Sequence, residues 1–486
     1  MKGKIDKIKS DYKQKKYSPS ELCDYYLKKV RSDKCNAYIT VTADFAAEQL
    51  KNNDKSGYNE IDYPLFAIPF AVKDNISTRG ILTTCASKML SDYVPIYDAF
   101  AYSRILNGGA IMFGKTNMDE FAMGSSGESS YYGCVKNPID ENYVSGGSSS
   151  GSACAVANGS AVFTLGSDTG GSVRQPASFC GCVGFKPSYS SVSRFGLISY
   201  ASSFDQIGIF SSSVADSAKV FDVISAYDKM DDTCKKYKRV KTESRLGTDI
   251  KGIKIGLWKN LFDSALSDMN ACYEKCFSAL SKKGAITETF SFENTKYIIP
   301  VYYILASAQA ASNLSRYDGL RYGYRPNKYS SFNDMIKKSR TEGFGNEVKK
   351  RIMLGNYVLS EGFYDRYYKK AFSMKEYLAE WINKLFEKYD FIVTPTVCTH
   401  PYKIGESEAN KEKTYYNDIC TVTANLCELP AISIPCGYDS NSMPIGLQII
   451  GKKFDDAAVL NAAYMLEDYF YQNGIVTHNN GGENHD

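Results

Sequence analysis

Apolar positions in the first sixty residues recur at helical spacing. Leu22, Tyr25, Tyr26 and Val30 share one side of a 3.6-residue repeat, and Ser18 with Glu21 three positions later has the form of a capping box. Residues 1–60 are therefore expected to form an N-terminal helical layer. From Leu65 the rhythm changes. Runs of strand length, Phe66 to Val72, Ile111 to Phe113 and Ala161 to Leu165, alternate with helical patterns such as Asp98 to Leu106, and that alternation predicts α/β architecture. Asp231 to Gly252 is charged and poor in apolar residues, which marks an exposed connection. Beyond it Ile253 to Trp258, Phe391 to Val393, Ala431 to Ile434 and Ile445 to Ile450 read as strands, and Asp455 to Tyr471 as an amphipathic helix. Residues 61–478 are taken as the main domain and 479–486 as a polar, frayed tail. The longest apolar stretch, Tyr297 to Ala311, is broken by Pro300 and Gln309 and falls short of the ~20 residues a bilayer span needs, so no membrane is expected.

Composition narrows this only a little. With 43% hydrophobic and 23% charged residues the chain sits near the globular averages, which argues against disorder and fibrous repeats. A net charge of +4, with Lys and Arg interspersed among Asp and Glu, marks no nucleic-acid surface; DNA is not expected, and an RNA partner is neither required nor excluded. The Lys-rich start is interrupted by Asp6 and Asp11 and no apolar core follows, which fits neither a secretory nor a transit peptide; the expected compartment is the cytoplasm, or an organelle matrix in a eukaryote. Fourteen cysteines are scattered without a Cys-x-x-Cys pair, so reduced, mostly buried thiols are expected. Cys180-x-Cys182 and Cys272-x-x-x-Cys276 lack a second pair at zinc spacing, and no metal is expected.

The candidate chemistry lies in two Gly/Ser clusters, Gly146-Gly147-Ser148-Ser149-Ser150-Gly151-Ser152 and Gly166-Ser167-Asp168-Thr169-Gly170-Gly171-Ser172. Between them lie one short helix of small residues, including Ala153, Ala155 and Ala157, and one strand, an arrangement unlike flexible linkers. Glycines let backbone N–H groups approach a substrate, with serine hydroxyls among them as nucleophile and relay. A serine hydroxyl needs a base. The three histidines are His400, His478 and His485, the last two near the chain end, so a Ser-His-Asp triad is not expected. A lysine kept neutral by burial is the alternative. Lys73 fits best, at the end of the apolar run Phe66 to Val72, although pattern alone leaves open an ordinary strand-terminal lysine. Gly109-Ala110-Ile111-Met112-Phe113-Gly114-Lys115-Thr116 formally satisfies the phosphate-loop pattern. Here, however, a helix precedes the motif and Ala-Ile-Met-Phe is itself a buried strand, so the match is read as accidental.

Lys73-Asp74-Asn75, the first Gly/Ser cluster and Asp168-Thr169-Gly170-Gly171-Ser172-Val173-Arg174-Gln175-Pro176 together resemble the amidase signature family. Thr83 to Lys88, Asn117 to Ser126, Ser193 to Leu197, Ser203 to Gly208 and Gly446 to Gln448 resemble the branch of that family formed by A subunits of tRNA-dependent amidotransferases. The resemblance spans nearly the whole chain. It implies an amidase-signature fold, a central mixed β-sheet covered by helices on both faces. It implies Ser172 as the acylated nucleophile, Ser148, following a cis peptide bond, as the bridging serine, and Lys73 as the general base. It further implies an oxyanion hole of backbone N–H groups from Thr169, Gly170, Gly171 and Ser172. Glutamine recognition needs a cation for the α-carboxylate and an anion for the α-ammonium; the resemblance assigns these to Arg351 and Asp418, with Gly124 and Tyr302 lining the pocket. Tyr303 adjoins Tyr302, and the sequence leaves open which ring faces inward. By pattern alone Arg351, in Lys349-Lys350-Arg351, reads as a solvated helix face.

The implied activity is a glutaminase that supplies ammonia within a ligase. This chain would need no cofactor. A partner B subunit would use ATP and Mg²⁺ and bind most of the misacylated tRNA, Glu-tRNA(Gln) or Asp-tRNA(Asn), and a C subunit would brace the assembly. A stand-alone amidase of aryl or aliphatic amides would share the serines and lysine without needing Arg351 and Asp418. A catalytically silent scaffold would not need Lys73, Ser148 and Ser172 intact.

Overall fold

Eleven strands form one sheet in a computed structural model that describes residues 3–55, 59, 61–406 and 415–476. They are β1 (Tyr38–Val41), β2 (Pro69–Lys73), β3 (Ile111–Thr116), β4 (Phe163–Asp168), β5 (Val183–Lys186), β6 (Gln206–Ser211), β7 (Lys254–Trp258), β8 (Ile286–Phe290), β9 (Phe391–Pro395), β10 (Ala431–Tyr438) and β11 (Pro444–Ile450). Their order is β1-β3-β2-β4-β6-β5-β10-β11-β9-β7-β8. β2 runs parallel to β3 and β4, and β7 runs parallel to β8 and β9. The other pairings are antiparallel, so the sheet is mixed, as expected.

Strand alternation sends neighbouring side chains to opposite faces, and two cores result. Phe391, Val393, Ile432, Ile434, Leu447 and Ile449 share one core with Ile224, Leu280 and Leu460, from helices Val214–Ile224, Asn270–Lys282 and Asp456–Gln472. Ile392, Ala431 and Ile450 point the other way, into a core with Leu305, Ile352 and Ile382 from helices Ile298–Asn313, Asn346–Leu359 and Lys369–Lys388.

The N-terminal stretch holds helices Lys4–Lys13, Pro19–Arg31 and Ala43–Lys55. The capping box is present, with Ser18 N–H donating to Glu21 Oε2 at 2.7 Å and Glu21 N–H to Ser18 Oγ at 3.2 Å. Between the second and third of these helices lies β1, whose β-branched Ile39, Thr40 and Val41 suit the antiparallel edge beside β3. The strand expected from Phe66 starts at Pro69, because Ala67 has φ +50° and Ile68 N–H closes a turn onto the Leu65 carbonyl. Asp231 to Gly252 carries one short 3₁₀ turn, Glu243–Arg245, and the predicted C-terminal helix forms as Asp456–Gln472. The tail, His478 and His485 lie outside the described residues. Among the described residues no helix is long and apolar enough to cross a membrane.

This topology places the chemistry. β2 and β4 lie side by side and parallel, pairing Phe70 with Phe163 and Val72 with Leu165, so Lys73 and Asp168 leave the sheet at the same end. That carboxyl edge is where open α/β sheets bind ligands.

Candidate active site

Every residue of β2 is buried, and Lys73 is wholly so. Burial pushes its amine down to about 7, although Asp119, Asp168 and Asp205 pull it back up. The Nζ lies 2.8 Å from Ser148 Oγ, 2.8 Å from Ser149 Oγ and 3.0 Å from Ser167 Oγ. Ser149 Oγ donates to the Ser167 carbonyl at 3.0 Å, which spends its proton. Ser148 Oγ has no partner except Lys73 among the described residues. It is therefore free to give its proton to a neutral amine, whose lone pair can accept it.

The peptide bond between Gly147 and Ser148 is cis. Gly147 N–H donates to Gln175 Oε1 at 2.9 Å, and Gln175 Nε2 donates to the Ser125 carbonyl at 2.9 Å. A Cβ on Gly147 would lie 2.0 Å from Asp119 Oδ2. Only glycine fits, because the Asp119 carboxylate occupies that space while accepting from Gly127 N–H, Ser129 N–H and Ser129 Oγ.

Ser172 sits in the loop between β4 and helix Arg174–Cys180, and Asp168 organises that loop. Its carboxylate accepts Gly171 N–H at 2.9 Å, Val173 N–H at 3.1 Å and two nitrogens of the buried Arg174 at 3.0 and 2.9 Å. Burial pushes Asp168 up, but Arg174 outweighs it and holds the carboxyl at about 2. Arg174 is itself fixed by the Thr421 carbonyl, Asn425 Oδ1 and Gln448 Oε1. The Gly171 N–H, one of the four expected in the oxyanion hole, is thus donated to Asp168 in this structure. The N–H groups of Thr169, Gly170 and Ser172 have no partner among the described residues. Gly170 and Gly171 are close approaches, since a Cβ would lie 2.4 Å from Tyr302 Oη at the first and 2.2 Å from Thr421 Oγ1 at the second.

The structure thus brings Lys73 and Ser148 into direct contact, with Ser172 on the adjoining loop, its carbonyl accepting Ser149 N–H at 3.2 Å. Ser172 Oγ bonds neither to Ser148 nor to Lys73 among the described residues. It is 8% exposed, where Lys73 and Ser148 are at 0%. Of the three groups, it is the one an entering molecule meets.

Arg351 is buried, against its reading by pattern. On helix Asn346–Leu359 it follows the inward stripe of Val348, Ile352 and Gly355, and it lines a cleft of about 460 Å³ with Tyr303, Lys350, Tyr415 and Ile419. Its Nε donates to Glu347 Oε1 at 2.7 Å and its Nη1 to Tyr200 Oη at 2.8 Å. The guanidinium carbon lies 4.5 Å from the ring centre of Tyr303 and 5.4 Å from that of Tyr415. Asp418 is also buried and accepts the Tyr303 hydroxyl at 2.7 Å. Burial pushes its carboxyl up to about 7, against the hydroxyl of Tyr303 and the charge of Arg351. The two tyrosines divide the work: Tyr302 abuts Gly170, and Tyr303 bridges Asp418 and Arg351. Gly124 lines a neighbouring cleft of about 510 Å³, which shares Lys350 and Tyr415 with the first. Sequence reasoning missed Ser149, Ser167, Asn425 and Glu347. The last was legible as the acidic partner four residues before Arg351 on one helix.

Other candidates fall elsewhere. Lys115, the phosphate-loop lysine, is buried in β3 and donates to the Ile76 carbonyl, Thr78 and Thr83, with Asp74 at 3.4 Å. Its site is already filled by the chain itself. His400 pairs with Asp268 and Asp439, with no serine among its partners in the described residues. The fourteen cysteines are free thiols, most of them buried. Asp33, Cys35 and Cys154 bring potential metal ligands within 4.8 Å of one another, but the Asp33 oxygens already accept from Cys35 N–H, Ala37 N–H and Asn158 Nδ2.

A family model for Amidase matches residues 21–460. Over 466 residues the chain is 47% identical to the A subunit of the glutamyl-tRNA(Gln) amidotransferase of Caldanaerobacter subterraneus subsp. tengcongensis, spanning 95% of each chain. The crystal structure of the A subunit of the Thermotoga maritima glutamyl-tRNA(Gln) amidotransferase matches with a TM-score of 0.79 at 35% identity, over 96% of this chain and 95% of that one. Allophanate hydrolase of Kluyveromyces lactis matches with a TM-score of 0.81 at 25% identity, over 98% of this chain and 74% of that one.

Proposed function

This chain belongs to the amidase family, and on that premise we propose that it is the glutamine-hydrolysing A subunit of a tRNA-dependent amidotransferase. The observation that carries the chemistry is the buried amine of Lys73, held near neutrality and 2.8 Å from Ser148 Oγ beside the loop of Ser172. In this reading Ser172 Oγ attacks the side-chain carboxamide carbon of glutamine, passing its proton to Ser148 as Ser148 passes its own to Lys73. The C–N bond then breaks. The leaving nitrogen takes a proton back from Ser148, resupplied by the Lys73 ammonium, and departs as ammonia. Water attacks the glutamyl ester by the same proton path in reverse, freeing glutamate and restoring Ser172.

Negative charge on the carbonyl oxygen is met by the unpartnered N–H groups of Thr169, Gly170 and Ser172; losing one such donor typically costs ~3–4 kcal/mol of transition-state stabilisation. Arg351 takes the α-carboxylate and Asp418 the α-ammonium, with Gly124 and Tyr302 shaping the pocket. A buried cation lining the cleft, and a buried carboxylate joined to the cleft residue Tyr303 by a hydrogen bond, favour an α-amino acid amide over the aryl and aliphatic amides of a stand-alone amidase.

Ammonia forms an amide only where an activated carboxyl awaits it. The proposal therefore includes a B subunit that activates tRNA-borne Glu or Asp with ATP and Mg²⁺, and a bracing C subunit. The named relatives favour Glu-tRNA(Gln). Ser172→Ala in the reconstituted complex is expected to abolish glutamine-driven amidation and spare the ammonium-driven reaction. Continued use of glutamine would remove Ser172 as the nucleophile.

A further inference from the structure

Arg351 is flanked by two tyrosine–carboxylate pairs. On one side Tyr303 donates to Asp418; on the other Tyr415 donates to both Glu347 oxygens, at 2.9 and 3.2 Å. The two tyrosine rings meet at 4.9 Å, and the guanidinium lies against both. The pairs differ in one respect: Glu347 takes the Arg351 Nε directly at 2.7 Å.

A guanidinium offers five N–H groups on two usable edges, the Nε side and the terminal Nη1/Nη2 fork. Glu347 occupies the first. Among the described residues Tyr200 takes one proton of Nη1, which leaves one proton on Nη1 and both on Nη2 unpartnered. Only the terminal fork can then receive an incoming carboxylate in a two-bonded grip. We propose that Glu347 is a positioning residue for substrate selection: it engages the Nε edge of Arg351 and so dedicates the terminal fork to the α-carboxylate of the amide substrate. Tyr415 holds Glu347 in turn, and Glu347 stands one helical turn before Arg351, so the three are hydrogen-bonded in series.

This rests on the glutaminase reading and is separable from it. The test uses Glu347→Gln in the reconstituted complex, with glutamine and with 4-aminobutanamide, which keeps the amide and the amine but lacks the α-carboxylate. Glu347→Gln keeps an acceptor oxygen for the Nε–H but removes the charge that strengthens this bond, and is expected to raise KM for glutamine about tenfold with kcat nearly unchanged. The kcat/KM for 4-aminobutanamide and the ammonium-driven rate should stay at the parent values. Tyr415→Phe, which leaves both charges in place, should shift KM in the same direction by a smaller factor. An unchanged glutamine KM in both variants, or an equal loss on both amides, overturns the role given to Glu347. Failure of the glutaminase reading looks different, because the parent complex would then show no glutamine hydrolysis.

Discussion

At the residue scale the chemistry depends on which form of Lys73 is present. Burial favours the neutral amine, so the base is competent above about 7 and disabled by protonation below it. At saturating glutamine, kcat is expected to fall about tenfold per pH unit on the acid side of the Lys73 titration in the complex and to level off above it. Asp418, raised to about 7 by burial, must be ionised to meet an ammonium, so glutamine KM should rise over the same acid limb. The two effects separate because one appears in kcat and the other in KM. Lys73→Ala should lose about 10²–10⁴-fold in kcat, and a variant that kept its full rate would remove the base from the mechanism. The burial of Lys73 was legible in the sequence because it ends an apolar run, whereas its role as base came from the resemblance. The burial of Arg351 was not legible, since Lys349 and Lys350 disguise it as a solvated face. Its place in the stripe of Val348, Ile352 and Gly355 becomes decisive only once the opposing helix is known. The Asp168 claim on the Gly171 N–H was equally hidden, because a loop's internal hydrogen bonds follow from backbone angles that composition does not fix.

At the scale of elements, the pocket depends on how closely two helices approach. A Cβ on Gly355 would lie 2.0 Å from the Ser307 carbonyl oxygen and 2.7 Å from Ala311 Cβ, so the glycine sets the distance between helices Asn346–Leu359 and Ile298–Asn313. The first carries Arg351 and the second carries Tyr302 and Tyr303. Gly355→Ala should wedge them apart, costing about 1–3 kcal/mol of stability. It should also raise glutamine KM more than it lowers kcat, because Lys73, Ser148 and Ser172 stand on other elements. Denaturant unfolding and steady-state kinetics on one preparation check both halves, and a KM that stayed fixed while stability fell would detach the pocket from this helix pair. Strands with several large apolar residues in or near succession, such as β3 and β9 to β11, were readable from pattern. Strands β5 and β6 were not, because Gly184 and Gly208 interrupt their runs to let helix Arg174–Cys180 and its preceding loop approach the sheet. The edge strand β8 is mostly exposed, so its alternation carries little signal.

At the scale of the molecule, one sheet separates two cores with different duties. The helices carrying Arg351, Tyr302 and Tyr303 pack on one face, and helices Val214–Ile224, Asn270–Lys282 and Asp456–Gln472 cover the other. This division predicts that equal damage to the two cores will have unequal effects on function. Leu460 and Leu305 are both buried, the first in the far core and the second one turn from Tyr302. Truncating either to Ala should cost about 2–5 kcal/mol, the usual range for a leucine removed from a packed interior. Below the unfolding transition Leu460→Ala should keep the parent KM and kcat, because the intact sheet lies between it and the cleft. Leu305→Ala should raise glutamine KM, since the cavity forms under the helix that aims Tyr303 at Asp418 and Arg351. Thermal unfolding measured beside glutamine kinetics distinguishes the pair. Equal KM shifts in both variants would mean that packing strain crosses the sheet and that the two faces do not act separately.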